Sequence, residues 1–593
     1  MKKIVRRYFW AILCVVLLAV CAAVLVVMRG DPLEGMLPRD RDAEFADGSG
    51  IVLEDATALQ RDALYKLAKV WGYVKYRHPA VIAGQVNWDA ELFRVMPEVV
   101  QAADEDAVNA VLLGWLEQFP FTQATAEAAQ SELEILATAP GTQNEMGWIS
   151  DRDFLGEGLC GYLESLSRTH VDDWTYGYAS WGETSVDFSN KDPRPDFDGT
   201  DVGVRLLGVF RFWNAFAYFS PNVDITRTDW DDALRGAIDD MLAATDRTGY
   251  ERALARLTAQ TGDCHVMLQT PDQSVLQYYG HYWLPFTFLS IDGEVVVEAV
   301  PDDCTALRPG DVLLAVDGMT MADRIAELSD YFPLPEPDKF ANALFFPLVS
   351  AAGETSEVTL RRDGAEQTVE VANRTSIYGG PTPATSGLIE GGRIGYIAPG
   401  TLREGDFAEL MTTFADTDGL VVDLRQYPLE DVRYLLPEYM NPAPTEFAIF
   451  EVPSLVDPGR FFRMPVRSGA GSMAAMGRVD ASQTFPRYTG RLVVLIDEDT
   501  KSYAEFTAMS LRQIPGAVVV GSASVGADGD AIHIQMPGGC DTPFTTMGVL
   551  TPEGEETQRV GLQPDVLCTP TVAGIAAGRD ELLEKAVELI EAA

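Results

Sequence analysis

Tyr8 to Met28 is an unbroken apolar run of 21 residues. At roughly 1.5 Å per residue a helix over this run is about 31 Å long, enough to cross a bilayer core. Lys2, Lys3, Arg6 and Arg7 precede it and only Arg29 follows closely. This pattern predicts a signal-anchor transmembrane helix over 1–30, with its N-terminus in the cytoplasm. The bulk of the chain is then periplasmic or otherwise extracytoplasmic, on a single-pass inner-membrane anchor. A cleaved signal peptide fits less well, because the run is long and no small-x-small site closes it.

Beyond a polar linker over 31–58 the pattern becomes helical and repeats itself. Trp71-Gly-Tyr-Val-Lys-Tyr-Arg-His-Pro79 leads to Asn87-Trp-Asp-Ala-Glu-Leu92, and Trp213-Asn-Ala-Phe-Ala-Tyr-Phe-Ser-Pro221 leads to Asp229-Trp-Asp-Asp-Ala-Leu234. Trp71/Trp213, Tyr76/Tyr218, Pro79/Pro221, Trp88/Trp230, Asp89/Asp231 and Leu92/Leu234 share one offset of 142 without a gap. A duplicated helical unit is expected: 59–195 for the first repeat and its connection, 196–275 for the second. In each, a helix ends at Pro and a second opens at Asn or Asp before Trp. The aromatic residues read as packing groups, and His78, opposite Ser220 in the alignment, as a packing or capping residue.

Over 276–380 the pattern turns strand-like. Glu294–Val300 is β-branched, and Glu357–Gly364 is a strand running into an Asp-Gly turn. Between them, Leu307-Arg-Pro-Gly-Asp-Val-Leu-Leu-Ala-Val-Asp-Gly318 resembles the hallmark of a PDZ domain, whose groove takes peptide by strand addition. From 386 to 593, buried-type strands alternate with helical segments, the signature of an α/β domain. Strands are predicted at 393–397, 419–424, 491–496 and 517–521, and helices at 404–415, 503–513 and 579–591.

Composition narrows the function. The chain has 45 basic and 89 acidic residues, a formal charge of −44, which argues against nucleic acid or anionic lipid as main partner. No cysteine pair has metal-ligand spacing and the chain has only five histidines, so neither metal nor cofactor is expected. Five cysteines lie beyond the apolar run, an odd number, so at least one is free or pairs with another molecule.

The strand over 491–496 runs through Asp497-Glu-Asp-Thr-Lys-Ser502 directly into a predicted helix. A serine there sits among unpaired N–H groups at a helix N-terminus, which can hold a developing oxyanion. It is equally the position of an ordinary N-cap. The surroundings favour chemistry. Gly392-Arg-Ile-Gly-Tyr-Ile397, Gly419-Leu-Val-Val-Asp-Leu-Arg425, Ser502-Tyr-Ala-Glu505, Val519-Val-Gly-Ser-Ala-Ser-Val-Gly526 and Gly561-Leu-Gln-Pro-Asp565 occur in order. Together they resemble the catalytic domain of the C-terminal processing and tricorn-like serine peptidase family. The resemblance implies a crotonase-like ββα core with Ser502 as nucleophile.

It also bears on the base. The processing branch uses a lysine about 25 residues after the serine, where this chain has Ala527. The tricorn-like branch uses a histidine ahead of the PDZ domain. Thr261-Gly-Asp-Cys-His-Val-Met267 matches that motif, which nominates His265, a group able to take a proton near neutrality. The orienting acid of that branch falls on Gln558 here, with Glu505 and Glu556 as alternatives; Cys264, next to the histidine, is a weak partner. The oxyanion donors implied are the N–H of Tyr503 and, in the loop Gln426-Tyr-Pro-Leu-Glu430, that of Leu429 or Glu430, since Pro428 has none. The expected function is a membrane-anchored serine endopeptidase acting on extended peptide through an acyl-enzyme. The alternative is a non-catalytic peptide-binding or scaffold protein on the same fold.

Overall fold

The computed structural model of the protein describes residues 36–188, 194–336, 339–403 and 405–592. The expected membrane span lies outside them. Among the described residues no helix is long and apolar enough to cross a membrane.

The repeated residues lie in two three-helix units. The first comprises α1 (Ala58–Lys75), α2 (Trp88–Gln101) and α3 (Glu105–Leu116). The second comprises α4 (Val202–Phe219), α5 (Trp230–Ala243) and α6 (Arg247–Ala259). The Asn87 and Asp229 side chains cap α2 and α5, and Asp104 and Asp246 cap α3 and α6, each satisfying N–H groups that the helix leaves open. Inside each unit two tryptophans bond reciprocally. Trp71 Nε1 donates to Trp88 O at 2.8 Å and Trp88 Nε1 to Trp71 O at 2.9 Å. Trp213 and Trp230 do the same at 2.6 and 3.2 Å. His78, buried, caps the short helix Pro79–Ile82 through Nδ1, the capping role expected for it.

The units exchange equivalent contacts. Lys69 of the first pairs with Asp231 of the second at 2.7 Å, and Arg211 of the second with Asp89 of the first at 2.5 Å. Lys69/Arg211 and Asp89/Asp231 both carry the offset of 142. Gly72 and Asn214, also 142 apart, meet between the units. A Cβ on Gly72 would fall 1.8 Å from Asn214 Oδ1, so only glycine lets the helices meet there. Asn214 Nδ2 donates to the symmetry-related carbonyls of Ala68 and Phe210 at 3.1 and 2.8 Å.

The symmetry breaks at Asp89, which also takes Lys75 at 2.6 Å. Burial pushes the Lys75 ammonium down to about 8, and Asp89 acts against that fall. Removing the carboxylate alone would strand two buried cations. Asp89→Ala should lower unfolding stability by about 3–5 kcal/mol, measured from the urea midpoint at pH 7, with a smaller loss for Asp231→Ala at its more exposed position.

Three further layers follow. A β unit holds strands in the order 365–372, 355–362, 312–316, 294–299 and 287–291. An antiparallel sheet has the order 140–143, 460–468, 445–453, 540–550 and 530–536, so the connection after the first repeat is its edge strand. The α/β core is a six-stranded sheet in chain order: β1 (Gly387–Ile389), β2 (Ile394–Ile397), β3 (Gly419–Asp423), β4 (Arg491–Ile496), β5 (Val518–Gly521) and β6 (Val566–Leu567). β1 is antiparallel to β2 and the rest are parallel. Leu492, Val494 and Ile496 face a core shared with α7 (Tyr503–Arg512). Val493 and Leu495 face one shared with α8 (Glu581–Glu591). This two-sided burial explains why these strands read as continuous apolar runs rather than alternations. The predicted strands and helices of the core fall within a few residues of these elements. Cys160, Cys264, Cys304, Cys540 and Cys568 are all free thiols.

Candidate active site

β4 delivers the chain to Ser502 and α7 takes it away. Ser502 holds φ 53° and ψ −117°, whereas an ordinary N-cap residue is extended. A β-carbon makes this conformation costly, by about 1–3 kcal/mol. A sharp strand-to-helix turn of this kind exposes a side chain above the end of a sheet. Glu505, fully buried on the first turn of α7, fixes it. Glu505 Oε2 accepts from Ser502 N at 2.9 Å and Ala527 N at 3.0 Å; Oε1 accepts from Ser524 Oγ at 2.5 Å and Gly526 N at 2.8 Å. Its side chain thus ties the serine turn to the loop after β5, with all four bonds directed there and none to His265.

With every acceptor position in use, an amide in its place would turn an NH2 toward N–H donors. Glu505→Gln should cost about 1–3 kcal/mol through the stranded donors. It should also shift the serine turn, read as lower thermal stability together with slower labelling of Ser502 by a fluorophosphonate.

His265 lies on the loop that follows α6. Its Nδ1 is 2.9 Å from Thr545 Oγ1 and 3.5 Å from Asp263 Oδ1. Its Nε2 is buried without a hydrogen-bond partner. The carboxylate beside the ring is therefore Asp263, two residues before the histidine. Asp263 has no solvent exposure. Oδ1 accepts from His265 N at 2.9 Å and Gln558 Nε2 at 3.0 Å, and Oδ2 accepts from Thr545 N at 2.6 Å. Burial pushes this carboxyl up, but the histidine and the N–H donors outweigh it and hold it below the ordinary range. Gln558 thus buttresses the carboxylate instead of touching the ring. Glu556 is pushed up to about 7 by burial and then by Glu451, and it has no bond to the ring.

The serine and histidine loops meet through their neighbours. Lys501 Nζ donates to Cys264 O at 2.6 Å, and the serine loop also meets the loop after β5, where Val525 N donates to Thr500 O at 3.0 Å. No hydrogen bond joins Ser502 to His265, whose Nδ1 is held by Thr545. Lys501 also donates to Asn342 Oδ1 at 3.3 Å, so it is committed away from the serine. The β unit touches the same loop: Ser290 N donates to Glu498 Oε1 at 2.7 Å. Tyr503, the first residue of α7, has an N–H without an intrahelical acceptor. Leu429 does not match expectation, because its N–H donates to Pro399 O at 3.1 Å. The bend that Pro428 imposes turns this amide back onto the chain.

A strained serine at a strand–helix junction and a histidine backed by a buried carboxylate, on loops joined through Lys501 and Cys264, are the groups a serine hydrolase uses. Residues 456–568 match the model of peptidase family S41. The chain is similar to the carboxy-terminal processing protease CtpB of Bacillus subtilis (strain 168), 22% identical over 288 residues, 46% of this chain and 52% of that protein. The chain thus matches about half the length of this relative. The crystal structure of mature CPAF superposes with a TM-score of 0.51 at 16% identity, over 66% of this chain and 98% of that one. The lactacystin complex of mature CPAF gives 0.50 at 15%, over the same shares. These structures share the fold.

Proposed function

We propose that the protein is a serine endopeptidase that cleaves extended polypeptide through an acyl-enzyme on Ser502. The observation that carries this reading is the turn at Ser502, which costs stability and has no use in a plain helix cap. Ser502 Oγ attacks the scissile carbonyl and its proton passes to His265 Nε2, the ring nitrogen without a partner. That proton then goes to the leaving amine, and water, deprotonated by the same nitrogen, releases the acyl group. Asp263 and the Thr545 hydroxyl hold Nδ1, fix the ring and stabilise imidazolium. The Tyr503 N–H faces the oxyanion, and with Leu429 committed the second donor from its loop falls to Glu430. The serine and histidine close on one another when substrate fills the site, as such pairs do.

The PDZ-like unit over 276–380, whose edge strand 287–291 bonds to Glu498, presents the peptide by strand addition. Given the name of its processing-protease relative, substrates engaged near their C-terminus are the first to try. The apolar run at 8–28 holds the enzyme to the membrane, facing away from the cytoplasm. A fluorophosphonate probe tests the reading. Labelling at Ser502 that is lost in His265→Ala supports it. An unlabelled, correctly folded protein would instead favour the scaffold function.

A further inference from the structure

The duplicated helical region has no part in the proposed chemistry, yet its broken symmetry leaves a mark. In the first unit, the Lys75 ammonium lies 4.2 Å from the ring centroid of Trp71 and 4.1 Å from that of Tyr178. It is also 2.6 Å from Asp89. This is an ammonium box of aromatic faces and a carboxylate, filled from within. The offset of 142 maps Trp71 to Trp213, Asp89 to Asp231 and Lys75 to Ala217. The second unit keeps the tryptophan and the carboxylate and lacks the lysine.

What stands there is a cavity of about 520 Å³, lined by Trp213, Trp148, Tyr218, Ala217 and Asp231 among others. Asp89 faces two cations; Asp231 faces one, Lys69, which bonds both its oxygens at 2.7 and 2.8 Å, lies 5.0 and 5.9 Å from the Trp148 and Trp213 ring centroids and shares the carboxylate with the Tyr65 hydroxyl. The Asp231 side chain is 41% exposed, against 6% for Asp89. Around the mouth, Glu145, Asp224 and Asp229 outnumber Arg227. The site is one positive charge short of its twin, and the space that charge occupies in the twin is open.

We infer that this cavity binds an alkylammonium group from outside, the aliphatic stem against Trp213 and the charge at the exposed edge of Asp231. A lysine side chain of a polypeptide and a free diamine both present that chemistry. The inference stands on the repeat alone and does not depend on Ser502 being catalytic.

Isothermal titration of the full chain tests it with Nα-acetyl-lysine amide, Nα-acetyl-norleucine amide and 1,5-diaminopentane. The lysine amide should bind saturably and the norleucine amide at least tenfold more weakly. Diaminopentane weaker than the lysine amide points to a polypeptide side chain, and the reverse to a free amine. Ala217→Lys restores the internal plug. It should abolish binding, leave the melting temperature unchanged or raised, and leave fluorophosphonate labelling of Ser502 as it was. Asp231→Asn should weaken binding at least tenfold and provides the test if the lysine variant does not fold. Equal binding of lysine and norleucine amides, no saturable binding, or undiminished binding by the variants would overturn the assignment.

Discussion

Ser502→Ala should lower peptide hydrolysis about a millionfold, the scale seen when a serine-peptidase nucleophile is removed, while the protein remains folded. The stability of two variants adds a second readout. Alanine keeps a β-carbon and with it the cost of φ 53°, whereas glycine adopts that region freely. If the turn is strained for chemistry, Ser502→Gly should unfold at a higher denaturant concentration than wild type, by about 1 kcal/mol. A serine serving only as a cap predicts the opposite order, with glycine a few tenths of a kcal/mol below wild type. Equilibrium denaturation of the two variants beside the wild type decides between them, whatever peptide is used for the assay.

Asp263→Asn should reduce kcat about 10³–10⁴-fold, by analogy with loss of the buried carboxylate from a catalytic triad. The physical reason is visible in its partners. Three N–H donors converge on the carboxylate, and asparagine offers a single oxygen to them. The NH2 group would oppose a donor, tilt the loop and leave imidazolium uncompensated. Thr545→Val, which removes only the hydroxyl beside Nδ1, should have a smaller effect. The pH dependence of stability gives an independent check. The folded-state pKa of Asp263 is depressed, so its stabilising contribution is present above the unfolded value, about 3.9. It is lost as the pH falls through the lower folded value. The stability gap between wild type and Asp263→Asn should therefore be full at pH 6 and shrink below about pH 4.

The core was legible because its strands are short apolar runs buried on both faces, between stretches with turn chemistry. The duplication was legible because six residues recur at one spacing. Asp263 was missed although it stood inside the motif that nominated His265. Attention fell on Cys264, which adjoins the histidine in sequence, and on Gln558 by resemblance. The signal available was local: an aspartate two residues ahead can accept the later N–H in an Asx turn, which places its carboxylate on the near side of the ring. The commitment of the Leu429 amide was not legible, since it depends on how the loop around Pro428 folds back onto Pro399. The reach of Glu505 to Gly526 and Ala527, loop residues some twenty positions on, likewise needed coordinates.

The exchanged ion pairs of the helical region have a consequence for how the chain was built. Lys69 to Asp231 and Arg211 to Asp89 form an isologous contact, the self-complementary kind that closes a dimer of identical subunits. Here both halves lie on one polypeptide, and the 85 residues between Leu116 and Val202 supply proximity while adding contacts of their own, Trp148 over Lys69 and Asn144 on the Ala217 carbonyl. A single cut in that connector would leave a heterodimer held by the same seam. The difference between the halves, a lysine at 75 and an alanine at 217, is one that a true homodimer, obliged to change both sides at once, would not carry.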